Sequence, residues 1–215
     1  MCGIGRVQDA IDATRAGADA IGLVFHPPAK RNVSVDLAKE IVEALPAFVT
    51  AVGLFVDQTT ADIQDAAEIV KLTTVQLHGE ESPLQVGALT GLHVIKAIRA
   101  DRKTLIPELK MWREAIGTYN LTHLKGFVLE TPHTRTAGGT GQENDWDAIE
   151  EATRAGAFEG LPPVILAGGL TPENVGPLVK RFNPYAVDVS SGIEVSVGQK
   201  SIDKMQAFAR AVMQA

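Results

Sequence analysis

A single cysteine in 215 residues has no partner for an internal disulfide, so nothing in the chain requires an oxidising compartment. Basic residues are outnumbered, 20 Lys and Arg against 26 Asp and Glu, for a net charge of −6. That balance argues against nucleic acid or an anionic membrane as the main partner, since either would need a basic surface. No apolar run approaches the ~18–20 residues of a membrane span, and the first residues lack the charged and apolar regions of a signal peptide. The five His residues are scattered without metal-ligand spacing, which argues against a bound metal. Gly and Pro, 20 and 11 residues, stand near their usual share and rule out a collagen-like or low-complexity chain. What remains is an ordinary globular composition, 45% hydrophobic and 21% charged. The expectation is a soluble, cytoplasmic protein whose residues 1–215 form one domain. Domains run to roughly 100–200 residues, and α/β barrels reach about 250 as one unit.

Seven short apolar runs recur along the chain, each followed by a helix-like stretch: residues 19–25, 49–56, 73–77, 93–98, 124–129, 163–167 and 185–189. Near-continuous apolar runs, rather than strict alternation, suit parallel strands covered by helices. Helical periodicity marks Val35 to Leu45, Ala61 to Lys71 and Lys200 to Met213. Ser34, Thr59 or Thr60, Ser82, Asp145, Thr171 (with Pro172 behind it) and Ser201 are placed to cap helix starts. Repeated βα units suggest a doubly wound sheet or a (β/α)8 barrel. With no linker or composition break, a single (β/α)8 TIM barrel is the better reading. Its first strand is then Met1-Cys-Gly-Ile4, truncated at the N-terminus.

Barrel active sites are built at the carboxyl ends of the strands. The glycines and hydroxyls of Leu166-Ala-Gly-Gly-Leu-Thr-Pro-Glu173 and Val187-Asp-Val-Ser-Ser-Gly-Ile-Glu194 let backbone N–H groups approach an anion, as at a phosphate site, or else simply make tight turns. Gly168, Gly169, Asp188, Ser190, Ser191 and Gly192 are the phosphate candidates. Gly138-Gly-Thr-Gly141 is a second glycine-rich loop near the ligand, with the wrong spacing for a dinucleotide fingerprint. Cys2 could serve as a general base if a cation or helix N-terminus brought its pKa towards neutrality; the alternative is a buried small hydrophobe. Glu130 ends a very apolar strand, where burial would suit it to general acid work; otherwise it is solvated or paired with Arg135. Arg31 suits a ligand carboxylate through its planar fork, or is a surface residue beside Lys30. His78 could orient a ligand or be structural.

Taken together these segments resemble phosphoribosylanthranilate isomerase. The matching stretches are Cys2-Gly-Ile4, Gly17 to Phe25, Lys30-Arg31, Val52-Gly-Leu-Phe55, Val75 to Glu80, Ile95 to Ile98, Gly138 to Gly141 with Asp145-Trp146, Leu166 to Val175, and Val187 to Glu194. They span the chain in order. The resemblance implies a cofactor-free, metal-free Amadori rearrangement in tryptophan biosynthesis, turning an aminoaldose phosphate into an aminoketose phosphate. An acid protonates the furanose oxygen so that the ring opens to a Schiff base. A base then removes the C2′ proton to give an enolamine, which tautomerises to the ketone. By resemblance Cys2 is the base and Glu130 stands at the acid's position. Arg31 holds the anthranilate carboxylate, His78 and Gly141 contact the substrate, and the last two glycine-rich loops hold the phosphate. The implied partner is the small-molecule substrate phosphoribosylanthranilate, taken up by a monomer or homodimer. Two other readings are a catalytically impaired barrel that binds phosphorylated sugars and another phosphate-binding barrel such as a ribulose-phosphate epimerase.

Three positions depart from the family's pattern. Its acid is normally Asp, and Glu130 reaches about 1.5 Å further, one C–C bond. Misplacement by ~1 Å can cost on the order of 10²-fold in rate. Several residues usually precede the family's Cys-Gly-Ile, so the expectation is a native start upstream of Met1 and a chain less stable than an extended one. Here the α-amino group would also sit beside the Cys2 thiol. Asn144 stands where the family has Phe.

Overall fold

The computed structural model of the chain describes residues 1–130 and 146–215. Gly141 and the rest of the Gly138–Gly141 loop, together with Arg135, Asn144 and Asp145, lie outside the described residues.

Each apolar run forms a strand, because a strand buried on both faces by its neighbours and by helices has no polar side to show. In chain order these are β1 (Ala20–Val24), β2 (Thr50–Phe55), β3 (Thr74–Leu77), β4 (His93–Arg99), β5 (Leu124–Glu130), β6 (Val164–Ala167) and β7 (Ala186–Val187). All neighbouring pairs are parallel, in the order β1-β2-β3-β4-β5-β6-β7. Parallel pairing in sequence order demands a crossover between successive strands, and helices supply it. They are α1 (Val7–Arg15), α2 (Val35–Glu43), α3 (Thr60–Val70), α4 (Pro83–Ala88), α5 (Leu105–Tyr119), α6 (Trp146–Arg154), α7 (Val175–Phe182) and α8 (Ile202–Met213).

Residues 1–4 stand in the eighth position, between β7 and β1. Cys2 N–H donates to Val189 O at 2.8 Å, Gly22 N–H to Met1 O at 2.9 Å, and Ile4 N–H to Gly22 O at 3.0 Å. The Met1 ammonium donates to Ala20 O at 2.9 Å. The segment is thus a single bridge, Cys2 opposite Gly22 of β1, and its hydrogen bond to Val189 just beyond β7 links it to the other end of the sheet.

Ser34, Thr59, Ser82 and Ser201 accept from the backbone N–H three residues on, as their caps require. Thr171 does not cap a helix. Asn174 Oδ1 accepts from Thr171 N–H at 2.8 Å, which closes a turn and delays α7 to Val175. The last strand is also shorter than its apolar run. After Val187 the chain leaves the sheet, makes a 3-10 turn at Ser191–Ile193, and returns through an antiparallel hairpin of β8 (Glu194–Ser196) and β9 (Gln199–Lys200).

The core is one continuous cluster between the strands and the helix ring. Trp112 of α5 meets Phe127 of β5 edge-on, with ring centroids 5.9 Å apart. Inside the ring two cavities face opposite ends. One at the amino end, about 270 Å³, is lined mainly by apolar residues including Val52, Ile95, Val128 and Ile165. The other opens at the carboxyl ends of the strands.

Candidate active site

The carboxyl-end cavity is about 460 Å³ and collects most of the expected residues: Cys2, Arg31, His78, Glu130, Gly168, Gly169, Asp188, Ser190 and Ser191. Most lie at or just beyond the carboxyl end of a strand, while Arg31 is carried in by the longer loop after β1, so the barrel aims them at one space. Gly192 does not line the cavity; His26, in the loop that carries Arg31, does, and so does Gln76, which lies inside a strand and not at its end.

Glu130 is the last residue of β5, and its side chain is 40% exposed, so the burial expected to tune it is lacking at the barrel rim. His78 holds it instead: Nε2 lies 2.9 Å from Glu130 Oε2, while Nδ1 lies 2.9 Å from the Gln76 amide nitrogen. The turn carrying His78 is fixed from below by a buried ion pair, Lys96 Nζ to Glu81 Oε2 at 3.0 Å. Lys96 also donates to Gly79 O at 2.7 Å, and Glu81 accepts from the N–H groups of Gly79 and Asp57. These bonds offset the desolvation of both charges.

Cys2 packs against Gly22 so closely that a Cβ at residue 22 would come within 2.7 Å of its Sγ. Its thiol is pushed up to about 12. Burial is the largest cause and the Asp188 carboxylate the next; the Met1 ammonium and Lys200 pull the other way without matching them. The expected fall towards neutrality is therefore reversed, because the two cations are outweighed by a desolvated setting beside an anion.

Arg31 is gripped by Glu194. Nε donates to Oε1 and Nη2 to Oε2, both at 2.7 Å, and Lys200 Nζ donates to the same Oε1 at 2.9 Å. Burial alone would raise the Glu194 carboxyl, but the hydrogen bonds from Arg31 and Lys200 outweigh it and hold it below the usual range. This side-on pairing occupies one edge of the guanidinium and leaves the end-on edge, Nη1 with Nη2, for a planar carboxylate.

Two loops meet at the far wall. Gly192 lies against the Leu170 carbonyl so tightly that a Cβ would stand 2.0 Å from that oxygen, so only glycine lets the loops after β6 and β7 touch. Lys200 Nζ donates to Ser190 O at 2.9 Å, which ties the second loop to the Arg31 grip. Asp188, expected among the phosphate contacts, has its carboxylate 3.9 Å from the Met1 ammonium, on the Cys2 side.

Over nearly its full length the chain is similar to relatives named as one enzyme. A family model described as N-(5'phosphoribosyl)anthranilate (PRA) isomerase matches residues 1–211. An N-(5'-phosphoribosyl)anthranilate isomerase of Nitrosococcus oceani is 43% identical over 212 residues, covering 99% of this chain and 95% of its own. That of Azotobacter vinelandii is 41% identical over 216 residues, covering 100% and 97%. The crystal structure of phosphoribosyl anthranilate isomerase from Thermotoga maritima superposes with a TM-score of 0.84 at 34% identity, over 100% of this chain and 98% of that one. A crystal structure of the same enzyme type in complex with reduced 1-(o-carboxyphenylamino)-1-deoxyribulose 5-phosphate superposes at 0.82, with 32% identity over 100% and 97%. Sequence and barrel agree from end to end, and the chain belongs to the phosphoribosylanthranilate isomerase family.

Proposed function

We propose that this chain catalyses the Amadori rearrangement of N-(5'-phosphoribosyl)anthranilate in tryptophan biosynthesis, with Glu130 as general acid and Cys2 as general base. One observation carries the reading: a single cavity lined by Cys2, Glu130 and Arg31, with the Gly168-Gly169 and Ser190-Ser191 loops on its wall. Arg31 takes the anthranilate carboxylate on its end-on edge, and backbone N–H and hydroxyl groups of the two loops take the phosphate. Fixing both ends of the substrate sets the sugar between acid and base, and such positioning lowers a barrier by several kcal/mol.

Glu130 gives its proton to the furanose oxygen as the C1′–O bond breaks, and the anthranilate nitrogen supplies the electron pair for C1′=N. The resulting iminium is cationic next to C2′. That charge favours the Cys2 thiolate against burial and Asp188, so the base is ionised where the acidic proton appears. Cys2 takes the C2′ proton, its bonding pair forms C1′=C2′, and the enolamine tautomerises to the ketone. Asp188 belongs to the Cys2 side of this arrangement, since an ionised carboxylate repels phosphate.

We assign the chain to the cytoplasm as a single barrel domain, on the strength of its one continuous core and of no described helix being long and apolar enough to cross a membrane. Its state is a monomer or a homodimer. A T. maritima relative is described as dimeric, with monomers generated from it. Phe48, fully exposed between α2 and β2, is the side chain such an assembly would cover.

A single-turnover fluorescence assay with the substrate generated in situ tests the assignment. Cys2→Ala and Glu130→Gln should each lose on the order of 10²–10⁴ in rate. A rate within twofold of the native chain in either variant would remove that residue from its role.

A further inference from the structure

Gln76 sits in the middle of β3, paired through that strand to β2 and β4, and is only 6% exposed. The layer around it is apolar, with Val52, Ile95 and Val128 among its neighbours in the barrel interior. A buried amide in such a place costs free energy unless it is hydrogen-bonded. Its partner is the His78 ring, 2.9 Å from the amide nitrogen, and the far nitrogen of that ring is 2.9 Å from Glu130.

The direction of this chain follows from donor chemistry. An amide nitrogen only donates, so His78 Nδ1 accepts. A neutral imidazole has one proton, which then sits on Nε2 and is donated to Glu130. A carboxylate accepts such a bond better than a neutral acid does. The carboxylate is also the form Glu130 takes once its proton has passed to the sugar. The main chain bearing the ring is fixed by Lys96 and Glu81 through Gly79.

We propose that Gln76 is a positioning residue for the isomerase reaction: through His78 it sets which imidazole nitrogen faces Glu130 with a proton, and so stabilises the carboxylate that forms as the furanose oxygen is protonated. The proposal rests on the reading of Glu130 as the acid.

Nitrogen-15 imidazole spectra of the whole chain test it directly, with His78 assigned by the signal lost in His78→Asn. The native chain should show His78 protonated at Nε2; protonation at Nδ1, or the same mixture in the native chain and in Gln76→Met, would overturn the proposal. Gln76→Met keeps the volume and removes the amide. It should release the tautomer and lower kcat roughly tenfold or more, with KM within about twofold. In a His78→Asn background the same substitution should change nothing further. An equal loss of kcat there would mean that Gln76 only fills space, which also overturns the proposal. If Gln76→Met does not fold, the native spectrum alone decides. Failure of the acid reading would show separately, as unchanged kcat in Glu130→Gln with His78 still protonated at Nε2, and would remove the catalytic part of the proposal.

Discussion

Replacing Glu194 by Ala tests whether the grip on Arg31 is structural, functional or both. The carboxylate is nearly buried, 5% exposed, and it accepts from Arg31 twice and from Lys200, whose side chain is wholly buried. Without it the Lys200 ammonium keeps its bond to Ser190 O but loses its counter-charge. Removing one partner of a buried pair costs about 3–5 kcal/mol. In a chain of this size each kcal/mol moves Tm by about 2–4 °C, so the expected fall is about 6–20 °C. Arg31, no longer held side-on, should bind the substrate carboxylate less well and raise KM by roughly tenfold, the worth of one charged hydrogen bond. Thermal melts followed by circular dichroism and steady-state kinetics at the permissive temperature give both numbers. A pH series adds a sign. Because the folded Glu194 carboxyl stands below its ordinary value, its contribution is full above about pH 4.3 and is lost as pH falls through the folded value. Lys200 works the other way. Burial lowers its pKa, more than Glu194 restores, so its charge is a cost at neutral pH that is relieved as pH rises through the folded value. A Glu194→Ala chain that melts within 2 °C of the native one, with KM unchanged, would refute the reasoning. Recovery of most of the loss in Glu194→Gln/Lys200→Met would place it in the unpaired ammonium.

Other outcomes are as definite. With its thiol near 12, Cys2 of the free chain should react with iodoacetamide at pH 7.5 roughly 10³-fold more slowly than an ordinary cysteine of pKa about 8.5; equal rates would show that the thiol is not desolvated. Being raised, that pKa favours the native state below about pH 8.5, and the advantage is lost as pH climbs towards the folded value, so alkaline melts of Cys2→Ala should decline less than those of the native chain. Gly192→Ala must displace the Leu170 carbonyl, and a stability loss of about 1–3 kcal/mol with weaker inhibition by inorganic phosphate is expected; full phosphate affinity would detach that contact from the anion site. Glu130→Asp, one methylene shorter, should lengthen the 2.9 Å contact with His78 and lower kcat more than it raises KM, measured in the same fluorescence assay.

The strands were legible because burial on both faces leaves an apolar run with nothing to disguise it; β1, β2, β3 and β6 fall inside the runs read from the sequence, and β4 and β5 extend one residue beyond theirs, to Arg99 and Glu130. The helix starts at Ser34, Thr59, Ser82 and Ser201 were legible for a local reason, one side chain reaching one N–H three residues on. Thr171 failed as a cap because Asn174, equally local, competes for the same turn. The short β7 and the hairpin of β8 and β9 were not read, since the run at 185–189 looks like a strand to its end and only packing on Arg31 and Lys200 turns the chain away.

The site was legible by position and not by state. Reading the carboxyl ends of the strands finds Cys2, His78 and Glu130, because the barrel turns these ends towards one cavity. What each residue does with a proton is decided by partners that no spacing rule connects. Arg31 and Glu194 are 163 residues apart in sequence, and Glu130 and His78 are 52 apart. The thiol of Cys2 answers to burial and to Asp188 across the seam of the ring. Gln76 was passed over for a related reason: it lies inside a strand, and only residues beyond the strand ends were read for chemistry. Its signal was nonetheless present, an amide between Val75 and Leu77 in a strand that packing would prefer apolar throughout. Such a polar residue costs free energy in the core unless the layer above needs it. In a barrel, then, the rim residues name the reaction, while the polar exceptions one turn of the pleat below them set the protonation states in which it runs.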